Sequence, residues 1–172
     1  MFGFFNKKSK PDTNETKTDT SKYATAPGTE IRYAPDLVDN LKSDHLNLLG
    51  LYGEIKADFD NQDYPAVATK LEKFKSNLQG HLLTENVRLY IYLDRSLAHD
   101  PVNSDLIRGF RREMDDIAKV AMKFLNKYSA IGIDADLAKH FADDFATIGQ
   151  VLGERIQKEE NVLYPLYMPH YN

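Results

Sequence analysis

The sequence predicts an all-α protein, in which residues 34–172 form an antiparallel up-down-up-down four-helix bundle and residues 1–33 form a disordered N-terminal tail. Three observations predict this fold. Apolar side chains recur every three or four residues along four segments of ~25–35 residues, short turns join these segments, and the two halves of the chain repeat one pattern. Residues 6–27 are mostly polar, which predicts disorder for the tail.

Each of the four segments carries a stripe with the spacing of one α-helical face. The stripes are Leu37, Leu41, His45, Leu48, Tyr52, Ile55 and Phe59; Val67, Leu71, Phe74, Leu78, His81, Glu85, Leu89 and Tyr92; Leu106, Phe110, Met114, Ile117, Ala121, Phe124 and Tyr128; and Phe141, Phe145, Ile148, Leu152, Arg155, Glu159, Leu163 and Leu166. Polar side chains therefore fall on faces that should be buried, where each needs a partner or a metal ion.

Turn residues mark where the predicted helices begin and end. Asp63 is a candidate N-cap for the second helix, with Pro65 in its first turn. Residues 100–103 (Asp-Pro-Val-Asn) predict a turn before the third helix. Gly80 lies within the second helix, where a glycine costs roughly 1 kcal/mol relative to alanine, and this cost indicates close packing.

An internal repeat sets the register between the helices. A shift of 74 residues superposes the second stripe on the fourth, and a shift of 69 residues superposes the first on the third. Counting residues from one end of an antiparallel bundle at ~1.5 Å per residue then places six side chains at one height. This predicted polar layer comprises His45, His81, Glu85, Met114, Arg155 and Glu159.

Composition excludes several classes of protein. A net charge of −4 argues against nucleic-acid binding. The absence of cysteine excludes disulfides and thiolate metal sites, and it fits a cytoplasmic location. No apolar run approaches the ~20 residues of a transmembrane helix. No phosphate-binding loop, nucleotide motif or Ser–His–Asp pattern is present, so no enzymatic activity is predicted.

The residues of the polar layer resemble the pattern of the hemerythrin HHE cation-binding family over about residues 35–167. The matching motifs are Asp44-His45, His81-x-x-x-Glu85, and Arg155-x-x-x-Glu159-Glu160-x-x-Leu163-Tyr164-Pro165. The resemblance implies a hemerythrin-like bundle with a metal site between its helices. Two positions depart from the family pattern, because Met114 and Arg155 stand where the third and fourth helices of the family offer histidines.

These departures leave two interpretations of the layer. In one, Arg155 bridges Glu85 and Glu159 and supplies the positive charge of a missing ion, so that the core is polar but metal-free. In the other, a single Fe, Mn or Zn ion binds His45, His81, Glu85 and Glu159, with Arg155 turned away. An intact di-iron site is not expected, because arginine cannot act as a ligand and a thioether suits oxygen-bridged iron poorly.

Two functions follow as hypotheses. The first is a non-enzymatic hemerythrin-like protein with an incomplete metal site, acting as a metal, oxygen or redox sensor or as a regulatory module. The second is a metal-free regulator that binds a protein partner. For the second, Gly80-His81, residues 148–152 (Ile-Gly-Gln-Val-Leu), Glu154-Arg155 and Glu159 resemble the regulator of sigma D (Rsd/AlgQ) family, which sequesters a sigma factor.

Side chains outside the layer are assigned structural roles. The three remaining histidines, His99, His140 and His170, are expected at the surface or its boundary. Four tyrosines gather near the ends of the second and fourth helices and are interpreted as half-buried packing residues with solvated hydroxyls. They are Tyr90, Tyr92, Tyr164 and Tyr167.

Overall fold

The computed structural model describes residues 20–170 and confirms the four-helix bundle. The first helix of the bundle is α1 (Leu37–Asp60). The second comprises α2 (Tyr64–Thr84), a π-helical segment (Glu85–Tyr90) and α3 (Ile91–Ser96). The third is α4 (Pro101–Lys127). The fourth comprises a short 3₁₀ turn (Ala135–Leu137), α5 (Ala138–Lys158), a second π-helical segment (Glu159–Leu163) and a final 3₁₀ turn (Tyr164–Leu166).

Aspartate side chains fix where the second and third helices begin. Asp63 accepts a hydrogen bond of 3.1 Å from the backbone N–H of Ala66, which confirms it as the N-cap of α2. Asp100 caps α4 by accepting from the N–H groups of Val102 and Asn103. The third helix therefore begins at Pro101, earlier than predicted, because Pro101 occupies its first position and the residues after it are helical.

The two π-helical segments repeat at the predicted offset. The first begins at Glu85 and the second at Glu159, which are 74 residues apart. A π-helical turn holds an extra residue and so changes which side chains point inward. The repeat therefore extends from the sequence pattern to the backbone, and both segments start at a carboxylate of the polar layer.

The buried apolar residues form two clusters with the polar layer between them. One cluster lies towards the end of the bundle where α1 ends and α5 begins, and it includes Ile55, Leu71 and Phe141. The other lies towards the opposite end and includes Leu41, Tyr90 and Leu163. The layer is thus enclosed on both sides by apolar side chains.

Residues 20–33 do not continue a disordered tail as predicted. Tyr23 and Ala26 are buried, and the N–H of Ala24 donates to the carbonyl of His170 at 2.8 Å. Tyr33 stacks on Tyr167 with ring centroids 4.7 Å apart. The apolar and aromatic residues of this short stretch therefore pack against the C-terminal segment. The rest of the predicted tail, residues 1–19, lies outside the described residues.

Within residues 20–170, none of the helices combines the length and the apolar character needed to cross a bilayer.

The glycine within α2 does not mark a close contact, contrary to the prediction. A Cβ atom added at Gly80 would meet no atom within 4 Å, and Gly80 is exposed. The close approach lies instead at Gly149 on α5, where an added Cβ would lie 2.3 Å from the hydroxyl oxygen of Tyr52. That hydroxyl donates a 3.0 Å hydrogen bond to the carbonyl of Phe145, so Tyr52 is held against Gly149.

We expect opposite effects from alanine at these two glycines. Gly80→Ala should stabilise the protein by about 0.5–1 kcal/mol, because it adds no contact and restricts the unfolded chain. Gly149→Ala should destabilise it by about 1–3 kcal/mol, because Tyr52 must move. Urea unfolding of both variants measures the difference, and a stabilising Gly149→Ala would contradict the packing described here.

Candidate metal centre

The structure brings the predicted layer together in the interior. His45, His81, Glu85, Arg155 and Glu159 are all at most 5% exposed. They come from α1, from the junction of α2 with the first π-helical segment, and from the junction of α5 with the second. The three histidines assigned to the surface, in contrast, are exposed: His99, His140 and His170.

Three of the four predicted ligands converge on one point. The Nε2 atoms of His45 and His81 lie 3.2 Å apart, and Nε2 of His45 lies 3.1 Å from Oε2 of Glu159. One donor atom from each of these residues lies within 4.8 Å of the other two. Ligands held at ~2.1 Å from one ion are separated by roughly 3.0–3.4 Å, so the two separations that involve Nε2 of His45 suit a single ion.

A carboxylate lies next to the outer nitrogen of each imidazole ring. Nδ1 of His45 lies at hydrogen-bond distance, 2.8 Å, from Oε1 of Glu160, whereas Nδ1 of His81 lies 3.6 Å from Oδ2 of Asp44 and makes no hydrogen bond within the described residues. A metal-binding histidine commonly donates its second ring N–H to a carboxylate, which leaves the other nitrogen free for the ion. Asp44 and Glu160 stand in the motifs that resemble the family, but their position beside the histidines was not predicted.

Glu85 lies beside the three converging donors. Its Oε1 accepts a 2.9 Å hydrogen bond from the hydroxyl of Tyr164. Its Oε2 is buried, has no hydrogen-bond partner, and lies 3.8 Å from Nε2 of His81. An unpartnered buried carboxylate oxygen next to a ligand group fits a position that an ion would use.

Arg155 is anchored differently from the predicted bridge. Its Nε donates to Oε1 of Glu159, its Nη2 donates to the hydroxyl of Tyr90 at 2.6 Å, and its Nη1 donates to Glu113 at 3.3 Å. The guanidinium lies 4.8 Å from the ring centroid of Phe110. Among the described contacts, the predicted bond to Glu85 is replaced by the bonds to Tyr90 and Glu113, because the side chain points towards α4.

The other departure from the family pattern, Met114, contributes packing. It is buried in the apolar cluster that contains Phe110 and Leu163. The α4 side of the layer therefore presents a thioether and the fixed cation of Arg155. The guanidinium repels a second hard cation and the thioether binds it poorly. The residues present therefore fit one ion and do not fit a pair of iron ions.

The tyrosines near the layer are not solvated as predicted. Tyr90 and Tyr164 are buried, and Tyr164 donates to Glu85 while Tyr90 accepts from Arg155. Burial raises the pKa of both hydroxyls above the ordinary value, so both stay protonated. The 74-residue repeat in the sequence could have indicated this burial, because it places each tyrosine five residues after a glutamate of the polar layer. Tyr92 and Tyr167 are also buried, with hydroxyls bonded to backbone groups of Met168 and Ala34.

Burial and neighbouring charges set different protonation states within the layer. Burial lowers the pKa of His45, but hydrogen bonds to Glu159 and Glu160 outweigh it and raise that pKa overall. Burial lowers the pKa of His81, and the charge of His45 lowers it further. Burial would raise the pKa of Glu159, but hydrogen bonds to His45 and the charge of Arg155 lower it. These shifts favour the charged form of His45, the neutral form of His81 and the ionised form of Glu159.

The pKa of Glu85 is shifted in the opposite direction from that of Glu159. Burial, followed by the charge of Glu159, raises the pKa of Glu85 to about 8. The metal-free layer thus contains one neutral and one ionised glutamate at positions that are equivalent in the repeat.

Removing the guanidinium of Arg155 should destabilise the metal-free protein. Arg155→Met keeps roughly the length of the side chain but removes one of the two cations that pair with the buried carboxylate of Glu159. We expect this loss to lower the free energy of unfolding by about 3 kcal/mol. Lys158→Met on the same helix is the matched control, because its ion pair with Glu113 is exposed and should be worth less than about 1 kcal/mol. Equal losses from the two variants in urea unfolding would contradict the buried pair.

Glu85→Gln should change how stability depends on pH. The folded-state pKa of Glu85 is raised to about 8, so its contribution to stability is fully present below about pH 4.5 and is lost as pH rises through about 8. Glutamine mimics the protonated side chain, so this variant should match the parent at low pH and exceed its stability above pH 8. Urea unfolding in the presence of a chelator, from pH 5 to pH 9, measures this difference. Glu72→Gln, an exposed change on α2, is the control, and a pH-independent difference between Glu85→Gln and the parent would contradict it.

Comparison with known proteins agrees with this geometry. The family model described as hemerythrin HHE cation binding domain matches residues 36–167, which include every helix of the bundle and every residue of the layer. No protein of curated function and no solved structure gives a significant match. The match covers well over half of the sequence, so the chain belongs to the hemerythrin HHE cation-binding family.

Proposed function

We propose that this chain is a non-enzymatic, single-metal member of the family, whose occupancy by one Fe, Mn or Zn ion serves as a metal or redox signal. The observation that carries the proposal is the convergence of His45, His81 and Glu159, with a carboxylate next to the outer nitrogen of each imidazole. Two imidazoles and a carboxylate suit these three metals. The free oxygen of Glu85 supplies a further donor beside them.

A single ion is favoured because Arg155 already holds a positive charge on the other side of Glu159. Its guanidinium is fixed by Glu159, Tyr90 and Glu113, so turning away would break three hydrogen bonds. A guanidinium carries its charge at every pH relevant to proteins. The arrangement therefore supports one ion next to a built-in cation rather than a two-ion centre.

A sensing role is supported by the link between the layer and the surface. Glu160 and Asp44, which contact the outer nitrogens of the histidines, are partly exposed at 33% and 46% of their side chains. An ion would displace the proton on Nε2 of His45 and alter the hydrogen bonds of both rings. Metal binding at the buried site would in this way change the contacts of partly exposed carboxylates on α1 and on the second π-helical segment.

Metal content of the untagged protein, followed by anaerobic calorimetric titration with Fe²⁺, Mn²⁺ and Zn²⁺, tests the proposal. We expect about one ion per chain, and a loss of affinity of more than roughly tenfold in His81→Ala. Arg155→His should raise metal affinity, because it replaces a repelling cation with a ligand. His99→Ala, an exposed histidine far from the layer, is the control. Absence of stoichiometric binding, or parental affinity in His81→Ala, would refute the single-metal site.

The metal-free regulator is retained as a second candidate because the charged groups of the layer are paired without an ion. His45 pairs with Glu159 and Glu160, and Arg155 pairs with Glu159 and Glu113. On this alternative the fold is a scaffold for binding a protein partner. Thermal unfolding decides between them, since an ion that binds the folded state raises the unfolding temperature, whereas a metal-free scaffold unfolds at the same temperature with Zn²⁺ or chelator.

A further inference from the structure

A cavity of about 120 Å³ lies between the helices, directly beside the polar layer. Its walls are apolar over most of their length and come from all four helices of the bundle, through residues such as Leu48, Phe74, Ala121 and Leu152. His45, His81, Arg155 and Glu159 contribute to its lining. The cavity therefore joins an apolar chamber to the groups of the layer.

We propose that this cavity binds a small apolar organic molecule, of the size of a benzene ring and carrying a hydroxyl group that reaches the polar layer. An apolar cavity of ~150 Å³ in a protein core stays dry and accepts benzene, so a cavity of this size and lining favours a comparable ligand. The cavity is present in the metal-free protein, so binding of such a molecule does not require a metal ion.

The cavity is held open by fixed groups. The ring of Tyr52 stacks on Phe145 with centroids 4.0 Å apart, and its hydroxyl is bonded to the carbonyl of Phe145. On the facing backbone, any side chain at Gly149 would collide with Tyr52. The small side chains of Ala118 and Ala121 face the same space from α4. Closing the cavity would therefore require the displacement of a hydrogen-bonded, stacked ring.

The wall of the cavity reaches the surface of the protein. Leu49 lines the cavity and is 46% exposed, and Ala118 and Leu152 line it and are half-buried. Rotamer changes of such partly exposed side chains are fast, so a ligand can enter between α1, α4 and α5 without unfolding of the bundle.

The chemistry of the layer favours a hydroxyl group on the ligand. Around one point it presents the imidazole nitrogens of His45 and His81 and a carboxylate oxygen of Glu159. A hydroxyl both donates and accepts, so it can pair with either kind of group. A phenol or a short cyclic alcohol is the class of ligand that meets both requirements.

Binding of benzene and phenol to the chelator-treated protein, followed by ¹⁵N–¹H NMR titration, tests the proposal. We expect saturable shifts centred on Ala121 and Gly149 with roughly millimolar dissociation constants or tighter, and phenol should bind more tightly than benzene. Shifts that fail to saturate, or that lie elsewhere in the bundle, would overturn the binding site. Equal affinity for the two probes would overturn the role assigned to the polar layer.

Two filled-cavity variants complete the test. Ala121→Leu should weaken phenol binding by about tenfold or more, since it places a larger side chain in the cavity. Ala118→Leu at the half-buried rim should do the same and is used if Ala121→Leu fails to fold. Ala57→Leu, on the exposed face of α1, is the control and should bind as the parent does. Parental affinity in both cavity variants would refute the assignment.

Discussion

The structure depends on one buried carboxylate, that of Glu159, which is shared between two cations. Its Oε2 faces His45 and its Oε1 accepts from Arg155, in a layer enclosed by apolar side chains at both ends. An ionised carboxylate is costly to bury unless it is paired, and here each oxygen has a positively charged partner. This sharing divides the layer in two. On the side of His45 and His81 the donor atoms converge, whereas on the side of α4 the positive charge is already in place.

The internal repeat explains why the two glutamates behave differently. Glu85 and Glu159 occupy equivalent positions, and each begins a π-helical segment. The equivalent of Arg155 in the other half of the repeat is His81, which carries no fixed charge. Glu159 is hydrogen-bonded to His45 and has the permanent cation of Arg155 one turn away, so its pKa is lowered, whereas Glu85 receives a hydrogen bond from neutral Tyr164 and its pKa is raised by burial. The contact with His45 and the arginine at one of the two equivalent positions together break the symmetry of the site.

The sequence predicted the bundle, the height of the layer and the membership of the layer, because these follow from helical periodicity and residue counting. It also predicted that Arg155 pairs with Glu159, which are one helical turn apart. It did not predict the bonds of Arg155 to Tyr90 and Glu113, because contacts across helices depend on helix rotation and rotamers that periodicity leaves open. The π-helical segments and the packing of residues 20–33 were likewise missed, since no local residue preference marks a π-helical turn and the composition of the N-terminal residues is mostly polar.

The protonation states show how one layer can be stable without metal and still be suited to an ion. Without metal, the forms that these pKa shifts favour are a charged His45, a charged Arg155, an ionised Glu159 and a neutral Glu85, which together leave one net positive charge. If a divalent ion replaces the proton of His45 and that of Glu85, the ion, Arg155 and the two ionised glutamates again leave one net positive charge. The exchange of two protons for one ion therefore preserves the charge of the buried layer, and it makes metal binding compete directly with protons. The unpartnered oxygen of Glu85 lies 3.8 Å from Nε2 of His81, so the carboxyl group that would lose the second proton already lies beside the other metal ligands.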